Sequence, residues 1–334
     1  MKLIKIKFVD FWNGFIQDNN IIYNTLAKHF KVELSDSPQI LFYSIFGEEH
    51  FNYKCIRVFY TSENIRANFL ECDYAITFDI SKNKNHLRLP LWFVYYTGYL
   101  ENYGVAKLDS LQYKKEILEA WKSKKKFCCF IVSNPSNPER IAFFKSLNEV
   151  RKVDSAGLVL NNIGYTLNGG SWEKFKFIKD YKFVIAFENS SYPGYVTEKI
   201  IEPLMAGCIP IYWGTPTVNN DINTNRFINV HEYKNIDEVI KKIISIDNDD
   251  QLALSILTEK CFTDKQKSVE SYINELEEFL IEIIEMSSFK KPIATNWIYS
   301  KANSILNPFV KFKRTFSSYF SKSLRLIKRI FLRY

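Results

Sequence analysis

The chain has 334 residues and 39.4 kDa, long enough for two domains of ordinary size. Hydrophobic residues make up 46% and charged residues 25%, a globular profile that excludes disorder as the dominant state. The formal net charge of +8 is carried by residues 302–334, which hold eight Lys and Arg and no Asp or Glu; residues 1–301 balance to zero. A neutral body argues against nucleic acid as a partner, because a nucleic-acid-binding body should carry its own basic face. No run reaches the roughly 18–20 apolar residues that span a bilayer.

The N-terminus alternates from Lys2 to Val9 and lacks the apolar block of a signal peptide, so it predicts a strand. A helix is expected over Ile21–Phe30, and apolar runs follow at Gln39–Phe46, Ile56–Tyr60 and Tyr74–Phe78. Short apolar strands separated by polar turns and helices predict an α/β sheet. Phe127–Val132 reads as the buried first strand of a second sheet, and Ser133–Arg140 as its strand-to-helix loop. The domain boundary is placed near residue 123, giving domains 1–122 and 123–300 and a tail 301–334. Tyr181–Phe187 is the next strand. A helix follows from Thr197 to Ala206, stopped by Gly207, and then a strand from Cys208 to Trp213. Pro203 should kink that helix. Asn235 and Glu238 cap another helix, and a long amphipathic one runs from Lys267 to Met286.

Six cysteines are spread thinly with no C-x-x-C, which predicts reduced, mostly buried thiols in a cytoplasm. The four histidines show no metal-ligand spacing, and Asp247-Asn-Asp249 follows a helix, where a cap and turn are expected. No metal site and no required cofactor are predicted.

In open parallel sheets, ligands bind beyond the carboxyl ends of the strands. Glu63-Asn64, Ser133–Arg140 and Glu188–Lys199 all lie at such ends. The last is the densest. It joins a buried strand to a helix N-terminus, where amides favour anions. Lys199 adds a point charge, Tyr195 a hydroxyl, and Glu198 a carboxylate able to accept sugar hydroxyls.

The stretch Phe187-Glu-Asn-Ser…Tyr195-x-Thr-Glu-Lys199, followed by Ala206-Gly-Cys-Ile-Pro-Ile-Tyr-Trp-Gly214, closely resembles the signature of the α-1,3-fucosyltransferases of glycosyltransferase family 10, above all the bacterial members. Arg57–Asn64 with Asp73–Asp79, Ser133–Arg140, Asn162–Tyr165 and Phe227–His231 are similar too, in the right order over residues 56–235. The resemblance implies a GT-B-type α/β fold: two Rossmann-like domains facing across a cleft, the N-terminal one toward the acceptor and the C-terminal one holding GDP-fucose. It implies inverting transfer of L-fucose from GDP-β-L-fucose to the 3-hydroxyl of GlcNAc or glucose in lactosamine-type glycans, in synthesis of lipopolysaccharide or Lewis-type surface glycans.

The acceptor hydroxyl must lose a proton and the departing diphosphate must be stabilised. Glu63 matches the glutamate of the family's Thr-x-Glu-Asn segment and is the general-base candidate. Arg140 and Lys199 are the phosphate candidates, since a guanidinium grips an oxyanion through two parallel bonds. Tyr195, Glu198 and Asn189 are assigned to the donor, and Ser133, Asn134 and Glu188 to a possible donor loop. The competing readings are a transferase of this fold using another nucleotide sugar, and a non-catalytic membrane-associated glycan- or nucleotide-binding module. The joint presence of Glu63, Arg140, Glu198 and Lys199 argues against the latter.

In the tail, Phe312, Phe316, Phe320, Leu324, Ile327, Phe331 and Tyr334 form a helical apolar stripe beside basic residues. Such a basic amphipathic helix suits an anionic membrane surface, here contacted through residues 311–334. A cytoplasmic protein, peripheral on the inner face of the cytoplasmic membrane, is the expectation.

Overall fold

A computed structural model describes residues 1–167 and 170–295. The expected tail, 301–334, and its apolar stripe lie outside the described residues. In chain order the elements are β1 (Leu3–Val9), α1 (Ile21–Ala27), β2 (Lys31–Leu34), β3 (Ile40–Tyr43), β4 (Ile56–Tyr60), β5 (Tyr74–Thr77), β6 (His86–Arg88), α2 (Leu91–Tyr103) and α3 (Leu111–Ser123). Then come β7 (Lys126–Phe130), α4 (Pro138–Val150), β8 (Val153–Ser155), α5 (Ser171–Ile178), β9 (Tyr181–Phe187), α6 (Glu198–Met205), β10 (Ile209–Trp213), β11 (Ile228–Asn229), α7 (Ile236–Asp247), α8 (Asp250–Thr258) and α9 (Val269–Met286).

The chain packs as two compact units. Among the described residues, the first comprises Met1–Tyr60, Ala67–Ala75 and residues 280–295; the second comprises Thr61–Arg66 and Ile76–Phe279. This division cuts β5 and α9, whereas the second sheet opens at Lys126, close to residue 123 where the sequence reading divides the chain.

In the first unit, β2, β1, β3, β4 and the start of β5 lie side by side in that order. The pairs β1–β2, β1–β3 and β3–β4 are parallel, with Ile6 opposite Ile40 and Ile40 opposite Ile56. Continuous apolar runs such as Ile40–Tyr43 and Ile56–Tyr60 are buried throughout, because a parallel sheet is covered on both faces. Val9, Leu41, Tyr43, Phe59, Cys72 and Ala75 form one core. The C-terminal segment closes this unit through Asp73. Its Oδ1 accepts the Ile293 N–H at 2.8 Å and its Oδ2 the Arg57 N–H at 3.0 Å, while burial pushes the carboxyl up.

In the second unit the strand order is β11-β10-β9-β7-β8 and every registered pair is parallel. From β7 the chain crosses to β8 on one side, and from β9 to β10 on the other. Neighbouring strands β7 and β9 therefore send their connections in opposite directions. That reversal is the switch point at which open α/β sheets leave a crevice beyond the strand ends. The loops that follow β7 and β9 flank it.

Most predicted elements are present with edges trimmed. The first helix ends at Ala27 rather than Phe30, because the amides of Lys28, His29 and Phe30 turn back to Thr25 and Leu26. Pro203 lies inside α6 only two residues from its end, so the hydrogen bond it forfeits falls in the final turn. Gly207 takes φ +66°, the left-handed stop. All six cysteines are free, and all but the half-buried Cys55 are buried. Asp249 caps α8 by accepting the Gln251 and Leu252 amides, as expected of a cap, and Asp247 pairs with Lys182 at 3.1 Å. Among the described residues no helix is long and apolar enough to cross a membrane.

One close approach sets the path of the loop after β7. A Cβ on Gly157 would sit 2.2 Å from the Val132 carbonyl oxygen and 2.4 Å from its nitrogen, both backbone atoms that cannot step aside. Gly157→Ala should therefore cost about 2 kcal/mol, in the range of overpacking changes. A fall of several degrees in the melting temperature by circular dichroism is expected, and an unchanged transition would contradict this packing.

Candidate active site

The loop 188–197 is held by its buried ends rather than left to solvent. The Glu188 side chain has no exposed surface. Its carboxylate accepts the Thr197 amide at 2.8 Å and the Thr197 hydroxyl at 2.7 Å, and lies 3.4 Å from the Lys199 ammonium. Gly214 makes room for it: a Cβ there would lie 2.5 Å from Glu188 Cγ. The Glu188 carbonyl accepts from Asn137 Nδ2 at 3.0 Å and from an Arg140 guanidinium nitrogen at 2.8 Å. The same guanidinium nitrogen reaches Asn189 Oδ1 at 2.8 Å. Asn137 also caps α4 through its Oδ1 on the Glu139 amide, which ties the loop after β7 to the loop after β9. A hydrogen bond to a charged group contributes about 2 kcal/mol, close to the backbone entropy of fixing one or two residues. Several such bonds must converge to order a loop of this length, and they do.

These contacts show what two of the candidate residues touch within the chain. Arg140, the phosphate candidate at the end of the Ser133–Arg140 segment, is 2% exposed and braces the loop through Glu188 and Asn189. Burial pulls its guanidinium down, with the charges of Glu188, Tyr195 and Glu198 opposing. Glu188, read as a donor-loop residue, has its carboxylate occupied by Thr197 and Lys199. Ser133 and Asn134 are exposed; Asn134 Oδ1 accepts the Ser136 amide at 3.0 Å, a turn within the loop after β7.

Around the start of α6 the charges alternate. Lys199 Nζ lies 3.0 Å from Glu198 Oε1 and 3.2 Å from the Thr197 hydroxyl. Burial works against the ammonium, but Glu198 and Glu188 more than offset it and hold it above the usual lysine range. Burial likewise works against the Glu198 carboxylate, and Lys199 with Lys174 reverses this, holding it down at about 2. Tyr195 is buried, its ring edge-on to Phe78 at 4.8 Å. Burial first, then the charges of Glu188 and Glu63, push its phenol up, with Lys199 opposing.

Glu63 differs from its sequence placement. The reading from sequence put it with the first lobe, after β4; the structure packs Thr61–Arg66 into the second unit. The reason is local. Asn64 Nδ2 donates to Ser190 Oγ at 2.5 Å. The Arg66 guanidinium lies 3.4 Å from the Tyr192 ring centroid and bonds to Asn64 Oδ1. Glu63 itself is exposed, its backbone held by the Thr61 hydroxyl at 3.0 Å. Glu63, Arg140, Asn189, Tyr195, Glu198 and Lys199 thus belong to one compact unit: Asn189 and Tyr195 on the loop after β9, Arg140 bonded to that loop from α4, Glu198 and Lys199 opening α6, and Glu63 next to the Asn64 that bonds to Ser190.

Sequence reasoning missed a second support. Arg88 bonds to both Asp221 oxygens at 3.0 and 2.8 Å, to Tyr272 at 2.7 Å and to the Gly194 carbonyl at 3.2 Å. The Trp92 indole donates to Asp221 at 2.9 Å. Thr215 and Thr217 hydroxyls accept the Gly194 amide at 3.1 and 3.0 Å. Gly194, at φ +81°, is clamped from both faces. These partners come from distant segments, which left no local signal to read.

Residues 6–95 match the α-(1,3)-fucosyltransferase FucT N-terminal domain, and residues 121–283 match the glycosyltransferase family 10 (fucosyltransferase) C-terminal domain. The chain belongs to glycosyltransferase family 10. It is 35% identical over 255 residues to the α-(1,3)-fucosyltransferase FucT of Helicobacter pylori, covering 67% of this chain and 52% of that protein. It is 31% identical over 190 residues to the human GDP-fucose protein O-fucosyltransferase 3, covering 54% of this chain and 37% of that one. The chain thus spans about half the length, or less, of these two family relatives. A crystal structure of an α1,3-fucosyltransferase with GDP-fucose aligns at TM-score 0.66 and 30% identity, over 84% of this chain and 91% of that one. A crystal structure titled simply α1,3-fucosyltransferase aligns at 0.72 and 29%, over 88% and 92%. The α/β fold with two parallel sheets is the GT-B type of this family.

The Glu198 carboxyl gives a sign to the acid response. Its ionised form is favoured in the folded state, so that stabilisation is complete above the ordinary value of 4.5 and is lost as pH falls toward about 2. Glu188 and Glu202 are pushed up, mainly by burial, and act in the opposite sense. The melting-temperature gap between wild type and Glu198→Gln should narrow from pH 5 to pH 3. A constant gap would contradict the assignment.

Proposed function

We propose that the protein is an inverting fucosyltransferase that moves L-fucose from GDP-β-L-fucose to the 3-hydroxyl of GlcNAc or glucose in a lactosamine-type glycan. The single observation that carries this reading is the tethering of the Glu63–Asn64 segment to the loop that bears Tyr195, Glu198 and Lys199, through the Asn64–Ser190 bond. An exposed carboxylate and a cation at a helix start are the two groups the reaction needs.

Glu63 takes the acceptor proton as the hydroxyl attacks the anomeric carbon. Lys199 and the amides opening α6 bear the charge growing on the departing diphosphate. Glu198 accepts hydrogen bonds from ribose or fucose hydroxyls, and Asn189 and Tyr195 line the donor. Arg140 acts on the diphosphate chiefly by fixing the loop that presents these groups. Ser133 and Asn134, exposed beyond β7, flank the donor, and residues 123–300 form the donor-binding domain. No metal is assigned a role, since fixed cations can meet the diphosphate charge. The family membership supports the donor, and the solved relative titled with GDP-fucose supports it further.

The test is an acceptor panel with GDP-fucose: N-acetyllactosamine, its type 1 isomer, a glucose-containing analogue and a serine/threonine peptide, with product linkage read by NMR. Transfer to the 3-hydroxyl is expected, and transfer only to the peptide would overturn the acceptor assignment. Competition by other nucleotide sugars tests the donor. Glu63→Gln should lower kcat by about 10²-fold or more while GDP-fucose still binds; near-wild-type turnover would remove Glu63 from its role.

We propose further that residues 311–334 attach the enzyme to the anionic inner face of the cytoplasmic membrane, where lipid-linked acceptors for lipopolysaccharide or other surface glycans would be reached. The basic content and apolar stripe of that sequence support this. Truncation after Asn307 should abolish sedimentation with anionic vesicles and leave activity on soluble acceptors. Equal vesicle binding by both forms would refute it.

A further inference from the structure

The alternation of charge at the start of α6 does not stop at Glu198. One turn further along the same helix lies Glu202, so that the two carboxylates fall on one face. Glu202 is buried, at 1% exposure. Two like charges on neighbouring turns inside a protein repel, and leaving both unpaired would be costly. The cation that meets them comes from α5: Lys174 Nζ lies 2.5 Å from Glu202 Oε2. The far side of Glu202 is fixed by Tyr99 of α2, whose hydroxyl lies 3.0 Å from Glu202 Oε1 and 2.8 Å from the Ser171 carbonyl at the start of α5. Three helices thus converge on one ion pair directly behind the Glu198–Lys199 pair.

We propose that Lys174 is a positioning residue of the nucleotide site: through its ion pair with Glu202, which lies one helical turn from Glu198, it sets the charge beside the carboxylate that accepts hydrogen bonds from nucleotide-sugar hydroxyls. The inference rests on the donor-binding reading given above. Lys199 alone serves two carboxylates, since it is 3.0 Å from Glu198 and 3.4 Å from Glu188. A second cation is needed to balance three acids in so small a volume. The electrostatics agree. After Lys199, the charge of Lys174 does most to draw the Glu198 carboxyl down against burial. Lys174 is itself drawn up by Glu202 and Glu198 against burial. The other titratable groups facing this cluster are Tyr95 and Tyr99 of α2, Tyr195 and Glu188 of the loop, and Arg140 of α4. The phenols are all pushed up and so stay neutral through the working range.

The test is calorimetric titration of the full chain with GDP at pH 5 and pH 8, for wild type, Lys174→Met and Lys174→Arg. Without Lys174, burial of the Glu198 carboxyl is opposed chiefly by Lys199 and the carboxyl is drawn up, so GDP affinity in Lys174→Met should fall about fivefold more between pH 8 and pH 5 than it does in wild type. Comparison with wild type removes the titration of the GDP phosphate itself. Lys174→Arg should restore the wild-type profile. Lys174→Met leaves Glu202 unpaired and buried; if it does not fold, Lys174→Gln keeps a hydrogen-bond donor for Glu202 without the charge and should show the same pH-dependent loss. A uniform loss at both pH values, or none, would overturn the positioning role while leaving the donor reading intact. Failure of wild type to bind GDP at either pH would overturn the donor reading, and this inference with it.

Discussion

The buried Glu188 carboxylate is the interaction on which the site depends. A carboxylate without exposed surface is tolerated only when its oxygens are occupied. Here Thr197 supplies an amide and a hydroxyl, and Lys199 the countercharge. Those partners are the cap and the second residue of α6. The end of β9 and the start of α6 are therefore fastened to each other across the intervening loop, and the loop has only its middle left to arrange. Asn137 and Arg140 fasten the same residue from α4 through its backbone carbonyl. One residue thus registers two loops and a helix at the switch point of the second sheet.

The rest of the unit is organised to make that arrangement affordable in electrostatic terms. The acids Glu188, Glu198 and Glu202 are interleaved with Lys199 and Lys174, so that no charge is buried beside its own kind without an opposite neighbour. On the other face Arg88, itself saturated by Asp221 and Tyr272, fixes the Gly194 carbonyl. Preorganised charge of this type is effective because it need not reorient when charge develops on a ligand.

How much of this was legible beforehand follows from the range of each interaction. Ile56–Tyr60 and Tyr181–Phe187 were readable to the residue because a strand covered on both faces is mostly apolar, here interrupted only by Arg57 and Lys182. Asn235 was readable as a cap because its bond to the Glu238 amide spans three residues. By contrast α2, with Trp92, Phe93, Tyr96 and Tyr99 buried, has apolar residues on most sides and no polar cap, so it shows no stripe to read. The site motif was legible as a motif, but not the division of labour within it. Whether Arg140 meets a ligand or the chain depends on a bond to a carbonyl 48 residues away. Asp221 and Arg88 are separated by 133 residues and neither carries a local signal. Glu63 was correctly seen at the end of a strand, yet its unit was set by Asn64 meeting Ser190 over 126 residues.

The return of the C-terminal segment to the first unit has a consequence for biogenesis. The sheet of β1 to β4 is made before the second unit, but the backbone amide that occupies the Asp73 carboxylate of the same unit as that sheet belongs to Ile293. Until that residue is synthesised, one oxygen of a half-enclosed carboxylate must make do with water. Nascent chains should accordingly carry a provisional first unit that is locked only once Ile293 has been made, after the intervening unit has had time to fold.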